Sequence, residues 1–264
     1  MIALDGSPTI YTVSSVAEQA LPGGFHDDSA VHQGALVLKR APDDPEFVGA
    51  LLRLLEESNY PHAPRWRGLR PDGRAAYTFV PGHVPWSRPE PEPRGVYGKW
   101  AKKRVFRMIR RLHDLTAGSD LAAGHEVVVH GDLAYFNTVY QRTAAGTYLP
   151  VAFIDWDLAR PGTRVEDIAH AIWQFLSLGD PETDRWSHRH PRMIAECCDW
   201  YGLDGRADIV DAIIFEQQRT VDGQKKALAA GALSNKLIET DAIAKVHRML
   251  DWTMRHRDLY GSEL

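Results

Sequence analysis

Residues 127–140 read VVVHGDLAYFNTVY: three valines run into His130, Gly131 and Asp132, and Asn137 precedes a second apolar stretch. A short β-branched run of this kind reads as a buried strand, so its polar continuation falls on a loop at the strand end. Taken singly, Asp132 and Asn137 read as turn caps, because Asp and Asn side chains readily bond nearby backbone. A second carboxylate shifts that balance. The next apolar strand, LPVAFID (149–155), ends in Asp155. Two carboxylates and an Asn at the ends of adjacent strands offer the hard oxygen environment that Mg²⁺ prefers, with positions left for water and phosphate. The group is a candidate phosphoryl-transfer site.

Upstream, GALVLKR (34–40) and RAAYTFV (74–80) read as strands. Between them, DPEFVGALLRLLEESNY (44–60) places Phe47, Leu51, Leu54 and Leu55 on one helix face, with Pro45 near its start. Residues 80–95, VPGHVPWSRPEPEPRG, cannot form continuous helix or central strand and read as a semi-rigid connector. Beyond it, Val105, Met108, Ile109 and Leu112 mark an amphipathic helix. Three short strands follow, EVVVH, NTVY and LPVAFID, and then helices to the end, with Gly202, Gly231 and Gly261 at expected C-caps. The fold class is therefore α+β and bilobal: an N-lobe of residues 1–80 with a sheet and helix, a linker over 81–95, and a mainly helical C-lobe of 96–264 with a small β insert.

A net charge of −4 gives no general attraction to nucleic acid or to an anionic membrane, and neither is expected as a partner. No apolar run reaches membrane-spanning length, and the N-terminus has no signal-peptide pattern, so a cytoplasmic location is expected. Cys197 and Cys198 are adjacent and read as buried thiols. His188 and His190 lack further ligands at zinc spacing and read as an exposed loop. Trp173, Trp186, Trp200 and Trp252 read as core residues, with an acceptor pocket as the alternative.

The protein-kinase catalytic loop reads H-R-D-L-x-x-x-N. Here HGDLAYFN keeps His, Asp, Leu and Asn in register and replaces Arg by Gly131, while IDWD stands where those kinases have D-F-G. In these respects the chain resembles the aminoglycoside phosphotransferase family of small-molecule kinases, which have a protein-kinase-like fold. IDWDLARPGTRVEDIAHAIW, YTFVPGHVP, LVLKR and RRLHDLT extend the resemblance over most of residues 20–175. It implies that Asp132 orients the acceptor hydroxyl and takes its proton, that Asn137 and Asp155 hold Mg²⁺, and that Lys39 contacts the α- and β-phosphates of ATP or GTP. Strand alternation turns the neighbouring Arg40 to the other face. It further implies that backbone groups of Thr78 and Val80 face the purine, and that residues 22–34, PGGFHDDSAVHQG, cover the phosphates.

One element of the family pattern is missing. The helix glutamate that pairs with the strand lysine has no counterpart in mid-helix, where Gly49 stands, and Glu46 is the substitute. Asp157 reads as a cap for the following turn, with a metal- or acceptor-assisting role as the alternative. His130 reads as structural, and Asp167 as an anchor for the catalytic loop or a cap. The acceptor that the resemblance implies is a small hydroxylated metabolite or antibiotic such as an aminoglycoside, nucleoside, sugar or amino alcohol. The acids Asp180, Glu182, Asp184, Glu196 and Asp199 are interleaved with Arg185, Arg189 and Arg192, a mixture that does not favour a polycation. Two alternatives stand beside this reading: a non-catalytic nucleotide- or ligand-binding member of the fold, and a hydrolase using Asp132 and Asp155 as acid and base.

Overall fold

The computed structural model describes residues 17–21, 30–85, 91–180 and 188–264. The first part is a five-stranded antiparallel sheet of β1 (Gln19–Ala20), β2 (Val31–Gln33), β3 (Leu36–Arg40), β4 (Trp66–Leu69) and β5 (Arg74–Thr78), in the order β1-β2-β3-β5-β4. The helix α1 (Pro45–Glu57) packs on it. Asp44 caps α1 by accepting from the Phe47 N–H at 2.9 Å, and Pro45 fills a first-turn position where no N–H is needed. Val48, Leu51, Leu52 and Leu55 form its buried face.

The second part is mainly helical: α2 (Lys99–Thr116), α3 (Arg164–Leu176), α4 (His190–Tyr201), α5 (Ile209–Ala229), α6 (Asn235–Glu239), α7 (Ala242–Arg255) and α8 (Arg257–Tyr260). Two small antiparallel pairs are inserted, β6 (Val127–Val129) with β9 (Arg160–Gly162), and β7 (Thr138–Arg142) with β8 (Tyr148–Phe153). Thr163 and Glu166 form a reciprocal capping box that starts α3. Gly202 ends α4 in left-handed geometry, whereas Gly261 has φ −83° and needs no such freedom. The architecture is the expected α+β arrangement.

A single apolar cluster crosses from Leu51 and Leu55 through Ile109 and Phe153 to Trp173. Residues 60–63 seam the two parts together: the buried Tyr60 hydroxyl donates to Met108 O at 3.1 Å, the Phe153 N–H donates to His62 O at 2.9 Å, and His62 Nδ1 lies 2.8 Å from Val151 O. Further along, the described connector residues run against β7, where His83 and Tyr140 exchange backbone hydrogen bonds at 2.7 and 2.8 Å. These contacts bring the end of β3 opposite the end of β8.

The cysteines are free and buried, and burial pushes both thiols up. Trp173 is in the core, and Trp200 and Trp252 pack partly buried against it, while Trp186 lies outside the described residues. His190 departs from the exposed-loop expectation. It opens α4, is 3% exposed, and meets the Tyr260 ring edge-on, whereas His188 is exposed. No described helix is long and apolar enough to cross a membrane.

Candidate active site

The three valines of β6 are fully buried and pair with β9, fixing where the loop after them starts. Asp167, in the first turn of α3 and 1% exposed, holds that loop from beneath. Its Oδ2 accepts from the His130 N–H at 2.8 Å and faces His113 Nε2 at 3.1 Å, and its Oδ1 accepts from the Gly131 N–H at 2.9 Å. Burial alone would raise the carboxyl pKa, yet His113, His130 and the backbone donors outweigh it and hold the group below the usual carboxylate range. Of the two expectations for Asp167, the loop anchor is the observed one; Thr163 caps the helix.

Gly131 sits at φ +80°, and an added Cβ would lie far inside van der Waals distance of the Leu158 carbonyl oxygen. The left-handed backbone explains why a glycine stands where protein kinases carry arginine. Gly131→Ala is expected to destabilise the fold by at least ~1–2 kcal/mol from backbone geometry alone, with the Leu158 contact adding to it. Urea unfolding of the two proteins measures the difference.

His130 is fully buried. Its Nε2 lies 3.2 Å from Ile154 O, and its Nδ1 lies 3.4 Å from the Asp132 N–H. This arrangement suits a neutral ring protonated on Nε2, and burial, the largest influence, lowers its pKa. His130 is thus a strut between the loop and the end of β8, as expected for a structural residue. Asn137 directs Nδ2 to the Asp132 carbonyl at 3.0 Å and to Asp132 Oδ2 at 2.8 Å. Both neighbours are acceptors, so the amide orientation is fixed and Oδ1 points away from Asp132. The Asn137 carbonyl accepts from the Ile154 N–H at 2.9 Å, joining the loop to the residue before Asp155.

Asp155 adopts φ +67°, a left-handed conformation that Asp tolerates better than most residues. Its carboxylate meets Lys39 Nζ, which also lies 2.8 Å from Asp157. Burial pulls the Lys39 pKa down, but the two carboxylates outweigh it and the net direction is up. For Asp157 burial dominates, and with the Asp155 charge it raises the pKa against the pull of Lys39. Asp157 therefore faces the lysine, not the following turn it was expected to cap. Arg40 is 56% exposed on the other face of the strand, as alternation requires.

Glu46 is exposed at the start of α1, and the ion pairs of Lys39 are with Asp155 and Asp157. Gly49 carries the Trp66 indole: a Cβ there would sit 2.9 Å from Trp66 Nε1. Trp66 packs edge-on against Tyr77, whose ring centroid lies 5.7 Å from Lys39 Nζ. An edge-on aromatic pair thus stands between the helix and the lysine. At the hinge, the Thr78 N–H donates to Arg65 O at 2.9 Å, and the Arg65 N–H donates to Thr78 Oγ1 at 2.8 Å. Val80 lies past the strand end, and residues 22–29 of the expected phosphate cover are outside the described residues.

Two groups went unnoticed in the sequence. His170 on α3 places Nε2 3.5 Å from Asp132 Oδ1 and Nδ1 3.8 Å from Glu216 Oε2 on α5. Nothing local in IAHAIW marks that histidine. Among the described residues no group of three or more His, Cys, Asp or Glu could hold a metal ion. An ion at Asn137 and Asp155 would have two protein oxygens, the sparse hard-donor set on which Mg²⁺ is completed by phosphate and water.

The family described as "Phosphotransferase enzyme family" matches residues 94–195, a span containing Asp132, Asn137, Asp155 and Asp167. The trifolitoxin immunity protein of Rhizobium leguminosarum bv. trifolii is 29% identical over 94% of this chain and 98% of its own. Among solved structures, an ethanolamine kinase of Plasmodium vivax superposes with TM-score 0.64 at 13% identity, over 95% of this chain and 85% of that one. The GDP and kanamycin complex of APH(2")-IIIa gives 0.57 at 12% identity, over 93% and 95%. A microcompartment-associated aminopropanol kinase gives 0.58 at 14% identity, over 93% of both chains. Residues 94–195 thus match the phosphotransferase enzyme family, and the chain as a whole shares its fold with small-molecule kinases.

Proposed function

We propose that the protein transfers the γ-phosphoryl group of a Mg²⁺-bound nucleoside triphosphate, ATP or GTP, to a hydroxyl of a small molecule. The observation that carries this reading is the Asp132–Asn137 pair, joined through Ile154 to Asp155 and, across the cleft, to Lys39. In this reading Asp132 orients the acceptor hydroxyl and takes its proton as the acceptor oxygen bonds to the γ-phosphorus and the nucleoside diphosphate departs. Lys39 exchanges carboxylate partners for the α- and β-phosphates. Asn137 Oδ1 and Asp155 hold the ion, which supplies neutralisation of phosphate charge. The Thr78 carbonyl and Val80 backbone face the base. Residues 1–80 serve the nucleotide and 96–264 the acceptor, with 81–95 as the linker. Such catalysis is mostly positioning and charge neutralisation, which the anchored loop supplies.

Trifolitoxin, named by the immunity protein that this chain is similar to, joins the acceptors to test. Kanamycin, ethanolamine, choline and aminopropanol complete the panel. A second reading, nucleotide binding without transfer, draws on the absent helix carboxylate at Gly49.

Isothermal titration with Mg·ATP and Mg·GTP, followed by nucleotide consumption across the panel, separates the two. Asp155→Asn keeps a side chain that accepts left-handed backbone but removes the charge. It is expected to weaken Mg·nucleotide binding about tenfold or more, or 1.4 kcal/mol and above. Binding without turnover on any acceptor supports the second reading, and absence of binding sinks both.

A further inference from the structure

His170 is 4% exposed and lies between two acids from different elements, Asp132 on the catalytic loop and Glu216 on α5, which is 1% exposed. Behind Glu216, Arg219 donates through Nε at 3.1 and 3.2 Å to its two carboxylate oxygens and reaches the surface, with its side chain 39% exposed. The four groups form a chain of alternating charge from the face of α5 to Asp132. The Trp173 ring meets the imidazole edge-on, with centroids 5.3 Å apart. On α2, His113 faces Asp167, and on α4, Tyr201 faces His113, so the loop and α5 supply the charges that act on His170.

A buried carboxylate, Glu216, and a half-buried one, Asp132, converge on one ring and favour the imidazolium, because an ionised acid away from water needs a partner. Asp132 has one oxygen on Asn137 Nδ2 and the other toward His170. A hydrogen bond from Asn137 fixes one oxygen, and the ring nitrogen faces the other at ion-pair distance. We propose, resting on the phosphotransferase reading, that His170 is a positioning residue: an imidazolium set between Glu216 and Asp132 that keeps the Asp132 carboxylate turned toward the acceptor hydroxyl.

Burial, the largest influence on the ring, lowers its pKa, but Asp132 and Glu216 together outweigh it and the value is pushed up to about 9. A raised folded-state value means that the clamp contributes fully below the ordinary 6.5 and is lost as pH rises through about 9. Turnover is expected to fall over the same alkaline window.

Histidine-labelled protein titrated by NMR tests the clamp without reference to catalysis, the His170 signal being assigned by its absence in His170→Gln. A midpoint well above 6.5 that drops in Glu216→Gln and in Asp132→Asn is the expected result. If Glu216→Gln does not fold, Arg219→Gln at the surface frees Glu216 for the ring and should move the midpoint upward. A midpoint at or below 6.5, or one that no partner substitution moves, overturns the proposal. In transfer assays His170→Gln should lose about 10²-fold in turnover, the scale of a misplaced catalytic group, with Mg·nucleotide affinity unchanged. Wild-type turnover and an unaltered alkaline limb in His170→Gln would also overturn it. Absence of all nucleotide binding and turnover overturns the phosphotransferase reading instead, and the titration then decides the clamp alone.

Discussion

Asp132→Ala is expected to lower phosphoryl-transfer turnover by about 10²–10⁴-fold, the range for a positioned general base, while Mg·nucleotide affinity stays near that of the wild type. The separation follows from what each group touches. Lys39 pairs with Asp155 and Asp157, and none of these ion pairs involves Asp132. Truncation at Asp132 removes the 2.8 Å bond from Asn137 Nδ2 to the carboxylate but leaves the 3.0 Å bond to the Asp132 backbone carbonyl. The Asn137 amide therefore keeps its orientation. Single-turnover kinetics beside calorimetric titration give the two quantities independently, and an Asp132→Ala protein that turns over at the wild-type rate removes Asp132 from the chemistry.

Asp167→Ala should cost about 3–5 kcal/mol of folding stability, the range for removing one partner of a buried ionic and hydrogen-bonded pair. The change leaves the His130 and Gly131 N–H groups and His113 without their common acceptor. Asp167→Asn is a sharper probe, because it keeps the volume but places an amide N–H₂ against donors. The pH dependence has a definite sign. The folded-state pKa of Asp167 lies below the ordinary 3.8, so its contribution is present above 3.8 and is lost as pH falls through the folded value. Urea unfolding of wild type and variant, compared at neutral pH and at steps below pH 4, should show the gap close on the acid side.

The helices and the catalytic loop were legible because their information is local. Val105, Met108, Ile109 and Leu112 recur at helical spacing and are all buried in α2. The register from His130 to Asn137 fixes which polar groups share one turn, and strand alternation alone separates Lys39 from Arg40. What escaped depends on contacts between distant segments. β9 reads Arg-Pro-Gly, which looks like a turn, and Pro161 is accommodated on a strand that, among the described residues, pairs with β6 alone. β4 is broken by Gly68 at φ +93° and a register shift. The partners of Lys39 and the link from His170 to Glu216 exist only once the lobes and α5 have packed. For Asp157 in particular, a local capping rule gave way to a charge from β3.

The conformation of Gly131 bears on control as well as on construction. Protein kinases carry an arginine at this loop position, and arginine–phosphate pairs order their activation segments. Here the left-handed backbone and the Leu158 carbonyl disfavour any side chain at 131. The loop is held instead by Asp167, a permanent internal anion that no modifying enzyme adds or removes. The candidate catalytic loop is thus held by an internal contact made when the protein folds, and no side chain at residue 131 takes part in it.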